Sequence, residues 1–448
     1  MAFPQDVEKK LTGDFGIRIN EWPIFILGVA LLAVAFLFMP RGVSLAISMA
    51  LFLSPLWLPL LLISGAWALW VILKRSEFIA AQDTILLEIK PPRSLVKTPL
   101  AMEAFLSGIH HGPGEGTWYA KYIQGKVRPW WSLEIVSLEG TVHFFIWTRA
   151  GFRRIIEAQM YAQYPGVQIA EVPDYSRQIT AKPEDYVIWG CDFAHTEDDP
   201  LPIKTYVEYG LGQVQKEEEQ IDPLANLVET LGSLGKGEYL WIQLIIRTHK
   251  GEKYAKKNAK GKAYTWKDKA KDMIDKMRED FVKEAQKAAK VPPGGSAFPA
   301  PTKGQQDLIA AIERNISKQA FDVGIRGLYL ARPENFQGLT IAALTGIFRH
   351  FTSEGWNGFR PARGMIQFDD YPWEIGTNKL KNAVRNDLVQ AYRRRQFFHE
   401  PFDLHRSAMV MSTEELATIY HIPSRAITAP SLGRITSATG EAPSNLPT

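Results

Sequence analysis

The chain of 448 residues has a single cysteine, Cys191, and its charges nearly cancel. One cysteine excludes an intramolecular disulfide and is compatible with a reducing compartment. The net charge is only +4, so attraction to nucleic acid would have to come from local patches and not from the whole surface. Hydrophobic residues make up 46% of the chain, which suffices for a sizeable core, and the length predicts more than one folding unit.

The sequence also lacks the glycine-rich motifs that bind nucleotides. No Gly-x-x-x-x-Gly-Lys-Ser/Thr motif is present. Gly112, Gly114 and Gly116 alternate, but they do not lie between a predicted strand and a predicted helix, as a dinucleotide-binding fingerprint would. We therefore predict that the chain does not hydrolyse ATP by itself.

Histidine and cysteine occur in no metal-binding spacing. His110 and His111 are adjacent, which would point them about 100° apart on a helix, and no further ligand completes a tetrahedral set. Cys191 has no convincing histidine partner for nucleophilic catalysis. We predict no catalytic residue, no metal and no cofactor, and an enzyme with an unrecognised site remains the alternative.

Two long apolar runs lie near the N-terminus. Ile24 to Met39 is uninterrupted, and Val43 to Leu73 is longer and carries no charge. A bilayer core of about 30 Å needs about 20 residues of helix. We predict a transmembrane hairpin over residues 23–75 with its turn at Pro40 and Arg41, and a signal peptide followed by a core helix is the alternative.

Basic residues flank this predicted hairpin unevenly. Lys9, Lys10 and Arg18 precede it, Lys74 and Arg75 follow it directly, and the turn holds Arg41 alone. The positive-inside rule then puts both ends in the cytoplasm. We predict a bacterial inner (cytoplasmic) membrane protein whose bulk, including an N-terminal segment over residues 1–22, is cytoplasmic.

The segment that follows has the order β-α-β-β-α-β. Alternating or β-branched runs predict strands, and apolar residues at helical spacing, such as Phe152, Ile156 and Met160, predict helices. This order is typical of a ferredoxin-like unit, which we assign to residues 76–182. The predicted strands are Thr84 to Lys90, Trp130 to Ser137, Val142 to Trp147 and Val167 to Val172.

The same order recurs over residues 183–370, although chance similarity is the alternative. Its predicted strands are Ile203 to Tyr209, Tyr239 to Thr248, Asp322 to Ala331 and Phe359 to Phe368. A Lys-rich insertion over residues 250–303 predicts an amphipathic, mostly solvated helix. The predicted fold class is α+β, with a transmembrane hairpin followed by two ferredoxin-like units and a helical insertion.

For the remaining residues we predict C-terminal helices over 371–424 and an extended, Pro-rich strap over 425–448. Ser412 and Glu415 have the spacing of a capping box that begins the last helix. Proline and the absence of helical periodicity predict the strap.

Two segments resemble a known family. They are SLEIVSLEGTVHFFIWTRAGFRRIIEAQMYAQYPGVQIAEVPDY at 132–175 and the ending that runs from MSTEELATIYHIPS through TAPSLGRITSATGEAPSNLP. Together with the hairpin, they are similar to the membrane-anchored, non-ATPase N-terminal portion of conjugation and type IV secretion motor proteins. The Walker residues of that family have no counterpart here, so its ATPase activity is not carried over.

The resemblance implies a non-catalytic component of a transfer machine that docks or organises a separately encoded motor ATPase. The expected partners are the membrane, this ATPase and further copies of the chain. The alternative is a membrane-tethered module that binds the transferred single-stranded DNA. Candidate contacts for nucleic acid or lipid headgroups are Arg393, Arg394, Arg395, Lys256 and Lys257, and candidate docking residues in the strap are Pro430, Leu432, Pro443, Leu446 and Pro447.

Overall fold

A computed structural model describes residues 30, 40–92, 95, 97–111, 116–179, 185–211, 222–251, 264–288, 302–368, 377–399, 402 and 408–423. The chain divides into two compact units, residues 1–74 and 75–448. The first unit contains the apolar segment, and the second contains every strand among the described residues.

The apolar segment forms two consecutive helices, α1 (Pro40–Phe52) and α2 (Ser54–Ala80). Proline suits the first position of a helix as well as a turn, and Pro40 and Arg41 lie within α1. The predicted hairpin, with its turn at these two residues, is therefore wrong. Among the described residues, α2 is the one helix long and apolar enough to cross a membrane, whereas the 13 residues of α1 span only about 20 Å. Ile24 to Met39 lies outside the described residues, apart from Ala30.

The described strands form one antiparallel sheet of nine members. The order is β4-β1-β3-β2-β6-β7-β5-β8, and β9 pairs with β7 beside this path. The strands are β1 (Thr84–Lys90), β2 (Trp130–Leu138), β3 (Thr141–Arg149), β4 (Gln168–Glu171), β5 (Val187–His195), β6 (Glu238–Thr248), β7 (Ala320–Ala331), β8 (Phe359–Gly364) and β9 (Met409–Ser412).

Helices cover both faces of the sheet, and each face has its own hydrophobic core. The helices after α2 are α3 (Pro99–Ile109), α4 (Trp118–Tyr122), α5 (Arg153–Gln163), α6 (Tyr175–Gln178), α7 (Ala225–Gly232), α8 (Trp266–Ala288), α9 (Lys303–Ser317), α10 (Gly338–Thr345), α11 (Asn378–Arg393) and α12 (Thr413–Ile419). The larger core lies under α3, α5, α7, α10 and α12, and the smaller core lies under α6 and α11.

The prediction of a hairpin followed by two ferredoxin-like units is wrong, because the strands belong to one continuous sheet. β2 and β6 pair from Trp130 opposite Arg247 to Leu138 opposite Tyr239. From the outer edge inward, the first half has the order β4, β1, β3, β2, and the second half has the order β8, β5, β7, β6. Counted within each half, both orders are fourth, first, third, second strand, and the halves join through β2 and β6. Both cores therefore run across the join, and neither half has a core of its own.

In the second half, the predicted strand over Ile203 to Tyr209 is also wrong. The first strand there is β5, which the sequence pattern did not reveal. β5 contains Gly190, where an added Cβ would lie 2.3 Å from Leu328 Cδ2, and Asp192, which is buried. A glycine and an acid in the middle of the strand break the alternation that identifies a strand from sequence.

The end of the described chain packs into the larger core. β9 pairs with the first residues of β7, and every residue of α12 is buried. The predicted capping box is confirmed, because Ser412 Oγ accepts a hydrogen bond from Glu415 N while Glu415 Oε2 accepts one from Ser412 N.

The Lys-rich insertion forms α8, whose predicted amphipathic character accounts for its packing. Ala270 and Ile274 of α8 contact Ile312 of α9 and Leu201, and these residues make a small separate core. The start of α9 is fixed by a second capping box between Thr302 and Gln305.

Candidate functional site

A row of buried polar residues crosses the centre of the sheet on the face that α11 covers. Glu134 of β2, Gln243 of β6, Arg326 of β7 and Asp192 of β5 are neighbours in register. Gln243 Nε2 donates to Glu134 Oε1 at 3.1 Å, Arg326 Nη1 donates to Gln243 Oε1 at 3.3 Å, and Arg326 Nε donates to Asp192 Oδ1 at 2.8 Å. The row therefore links both halves of the sheet through side chains as well as through the β2–β6 ladder.

Arg395 connects this polar row to the elements above it. Its side chain is 1% exposed and donates from Nε to Glu134 Oε1 at 3.0 Å and from Nη2 to Asp174 Oδ1 at 2.9 Å. Tyr175 donates to Glu134 Oε2 at 2.7 Å, and its hydroxyl lies 2.6 Å from that of Tyr392. Arg395 lowers the pKa of Asp174 by hydrogen bonding and charge, against the effect of burial, so both groups of this ion pair are charged at neutral pH.

The backbone of Arg395 adopts a conformation that normally favours glycine. Its φ is +49°, and it occupies the left-handed position just after α11. Arg395 N donates to Tyr392 O and Gln396 N donates to Ala391 O, which together form the Schellman motif that ends a helix. An arginine costs about 1–2 kcal/mol more than glycine in this conformation, so its presence indicates that the guanidinium is needed beneath α11.

The three predicted arginine contacts separate in the structure. Arg393 is half-buried and donates to the carbonyl oxygens of Ser176 at 3.0 Å and Ile179 at 2.5 Å. Arg394 is exposed and lies over the ring of Phe402. Arg395 is buried in the network described above. Only Arg394 therefore presents its charge to solvent, and the predicted contacts Lys256 and Lys257 lie outside the described residues, as do the predicted strap residues.

A second buried network lies on the opposite face, where α12 packs. Glu414 accepts two hydrogen bonds from Arg314 Nε at 3.1 Å and one from Thr205 Oγ1 at 2.6 Å. Arg314 also pairs with Glu208, and Lys318 pairs with both Glu103 and Glu414. The charges of this acidic cluster are thus balanced largely by two cations from α9 and the residue that follows it.

Glu415 lies beside this cluster but in a less polar setting. Its Oε1 accepts from Ile203 N at 3.1 Å, and its Oε2 accepts from Ser412 N at 2.9 Å. Burial raises the pKa of Glu415 to about 8, although both backbone amides lower it, and Glu414 raises it further. The sequence showed the capping box but not this shift, because the burial comes from β9 and the segment around Ile203.

The remaining chemically interesting side chains are engaged in packing. Cys191 is buried, which raises the pKa of its thiol and makes it a poor nucleophile. His110 lies 3.2 Å from the carbonyl oxygen of Ala320, and His143 pairs with Glu88 at 2.7 Å. Within the described ranges, no three His, Cys, Asp or Glu side chains are grouped so that they could hold a metal ion.

A shallow depression lies between the end of β8 and the middle of α11. Arg363, Gln367 and Asp387 line it, and its volume is about 220 Å³. This is smaller than the roughly 300–1,000 Å³ of sites that enclose small organic ligands.

The structure defines an α+β protein in which a two-sided sheet carries two buried ion-pair networks, and the chain also has an exposed apolar helix. Residues 74–433 match the family model of a domain of unknown function, DUF8128, and the chain belongs to that family. The matched region begins where the apolar segment ends and contains both networks. No curated protein matches the chain.

Proposed function

We propose that this protein is a non-catalytic, membrane-anchored component of a conjugation or type IV secretion-like transfer machine, where it docks a separately encoded motor ATPase. The observation that carries the proposal is helix α2. Its most apolar window has a mean hydropathy of 2.1, and none of that window is buried. An exposed apolar surface of this length in a folded protein is explained by contact with lipid or with another protein.

The length and flanks of α2 support a membrane-spanning role. Its 27 residues extend about 40 Å, which exceeds the bilayer core of about 30 Å. Lys74 and Arg75 follow the apolar part directly. Basic residues at this position favour a cytoplasmic location for the sheet that follows, in a bacterial inner membrane.

The buried networks support a structural role for the sheet. Glu134, Asp174 and Glu414 are each bound to arginine, and the buried thiol of Cys191 is a poor nucleophile. These buried ion pairs fix strands and helices to one another, so they keep the surface of the sheet unit rigid. The two resembling segments also meet, since Tyr420 donates to Phe145 O at 3.1 Å.

Self-association is part of the proposal. β4 and β8 form the two ends of the strand path, and edge strands offer hydrogen-bonding groups to another chain. Native mass spectrometry in detergent should therefore detect a species larger than one chain, whereas a monomer at all concentrations would contradict this part.

Removal of residues 425–448 should abolish recovery of the motor ATPase, because the proposed strap provides its contact. The full chain and a form ending at residue 424 would be purified from detergent extracts of the native host, and ATP hydrolysis would be measured in each eluate. We expect activity with the full chain only. The circular dichroism spectra of both forms provide the control for folding.

Equal ATPase recovery from both forms would contradict docking through the strap. ATP hydrolysis by the isolated full chain would contradict the non-catalytic assignment itself.

The second candidate is a module that binds single-stranded DNA, and it is favoured by the exposed Lys379 at the start of α11 and the exposed Arg394 just after its end. If these cations contact phosphates, each alanine substitution at Arg394 and Lys379 should reduce the salt dependence of binding by about 0.7 in log–log slope. Fluorescence anisotropy with an oligonucleotide over a range of salt would measure this. Lys267→Ala, at an exposed position of α8, is the matched control, and an absence of binding at low salt would eliminate the candidate.

A further inference from the structure

A cation lies among aromatic rings at the place where α2 leads into the sheet. Arg149 is the last residue of β3 and pairs in register with Thr84, the first residue of β1. Its guanidinium carbon lies 4.9 Å from the ring centre of Trp130 and 5.5 Å from that of Phe78, near the end of α2. Arginine stacks readily on aromatic rings, so these rings fix its orientation.

The rings do not neutralise Arg149. Burial lowers the pKa of its guanidinium, yet the group remains charged at neutral pH. Its Nη2 is buried, and among the described residues it has no hydrogen-bond partner. A buried donor of this kind is costly unless something accepts from it.

His399 is the second unsatisfied group at this place. It is 7% exposed, its ring centre lies 5.7 Å from that of Trp130, and its Nε2 has no hydrogen-bond partner within the described part of the chain. Burial, together with Arg247, Arg75, Arg128 and Arg149, lowers the pKa of His399 to about 3. The imidazole is therefore neutral and lies in a positive potential.

Two of these arginines are held by the sheet. Arg247 Nε pairs with Asp322 at 2.9 Å, and Arg128 Nη1 donates to Thr248 O at 3.1 Å and lies 3.6 Å from Asp322. His249 also pairs with Asp322, at 2.6 Å. These contacts fix the surroundings of Arg149 and His399.

We propose that Arg149 and His399 bind the phosphate of an anionic lipid headgroup at the foot of α2. The guanidinium supplies a fork of donors that matches phosphate oxygens, and the neutral imidazole supplies one more donor from the tautomer protonated at Nε2. A bound phosphate would accept from the two atoms that have no partner among the described residues.

The position of the site favours lipid over other phosphates. The apolar segment ends at Leu73, Arg75 follows, and Phe78, which contacts Arg149, is only five positions beyond Leu73. Basic and aromatic residues at such a boundary contact the headgroups of anionic lipids. Trp130 is 4% exposed and so is not available for stacking on a base, as single-stranded nucleic acid requires. The choice of lipid rests on the membrane anchoring proposed above.

The test measures the thermal unfolding midpoint of the full chain in detergent during titration with soluble short-chain lipids. Phosphatidylglycerol should raise the midpoint in a saturable way, whereas phosphatidylcholine, inorganic phosphate and an oligonucleotide should not at the same concentrations. Arg149→Gln should weaken the apparent affinity for phosphatidylglycerol about tenfold or more. Arg154→Gln, which removes an exposed arginine of α5, is the matched control and should leave the affinity unchanged.

Other variants and ligands separate the alternatives. Arg149→Lys keeps the charge and the fold but loses the donor fork, so it should weaken binding several-fold, and His399→Asn should do the same. Equal effects of the two lipids, or wild-type affinity in Arg149→Gln and Arg149→Lys, would overturn the site. An equal effect of inorganic phosphate or of the oligonucleotide would overturn its assignment to lipid.

The two proposals fail in different ways. A full chain that stays soluble without detergent would contradict the anchor, but selective binding of short-chain phosphatidylglycerol through Arg149 would still support the site. A chain that needs detergent but shows no such selectivity would contradict the site alone.

Discussion

Arg395→Met is expected to lower the free energy of unfolding by about 3–5 kcal/mol, because it leaves Glu134 buried without its cation. Glu134 is 0% exposed and, among the described residues, would keep only the donors of Ser132, Tyr175 and Gln243. Asp174 would also lose its ion pair with Arg395. Methionine approximates the length of the side chain, so the effect reports the charge and its hydrogen bonds more than a lost volume.

Urea unfolding of the full chain in detergent, followed by tryptophan fluorescence, measures this change. Arg394→Met is the matched control, since it alters the neighbouring, exposed arginine and should stay within about 0.5 kcal/mol of wild type. Adding Glu134→Gln to Arg395→Met should restore part of the loss, because the uncompensated charge is removed. A loss below about 1 kcal/mol in Arg395→Met would show that Glu134 is not held as a charged partner.

The run of three arginines shows where sequence reasoning stops. Periodicity placed Arg393, Arg394 and Arg395 at the end of a helix, where cations are usual. Their different roles depend on the residue at which α11 ends, and helix ends are uncertain by one or two residues. A shift of one residue in the predicted end of α11 changes which arginine turns back under the helix and which one faces solvent.

The strands and helices of the first half of the sheet could be predicted because the apolar pattern of the sequence there matches the burial of the residues in the fold. The predicted strand over Thr84 to Lys90 has the bounds of β1, and the helix predicted from the spacing of Phe152, Ile156 and Met160 overlaps α5. The merging of the two halves had no such local signal. A strand that pairs on one side only and a strand that pairs on both sides can share the same apolar pattern.

One feature of β2 does indicate the join. Every residue from Trp130 to Ser137 is buried, including Ser132 and Glu134 on the face of the smaller core. An acid in the middle of a strand usually faces solvent, so a buried one requires partners. Here the partners come from β6 and from the end of α11, which are more than a hundred residues away in sequence.

A pH-dependent loss of stability is expected from Glu415. Its pKa is about 8 in the folded protein, whereas the ordinary value is 4.5, so the folded state binds the proton more tightly than the unfolded chain. The stabilisation is fully present below pH 4.5 and is lost as the pH rises through 8. Between pH 6.5 and 8 the loss expected from Glu415 alone is about 2 kcal/mol, at roughly 1.4 kcal/mol for each pH unit.

Other groups change the stability with pH in the direction opposite to Glu415. The pKa values of His110, His350 and His399 are lowered from 6.5, mainly by burial, so these residues add stability as the pH rises and have little further effect above about pH 7.5. The lowered pKa values of Glu88, Asp174 and Asp322 act at still lower pH. The difference in slope between the wild type and Glu415→Gln therefore isolates the contribution of Glu415.

Glu415→Gln should remove the fall in the unfolding free energy between pH 6.5 and 8 and leave the small rise that these histidines contribute. Because glutamine has one acceptor oxygen where the carboxyl group has two, it cannot accept from both Ile203 N and Ser412 N, and the variant should also be less stable at pH 6.5 by about 1–3 kcal/mol. Glu229→Gln, which changes an exposed glutamate of α7, should keep the wild-type slope. If the slope persisted in Glu415→Gln, the carboxyl of Glu415 would already be ionised in the folded protein, held by the amides of Ile203 and Ser412, and α12 would be buried with a full negative charge beside that of Glu414.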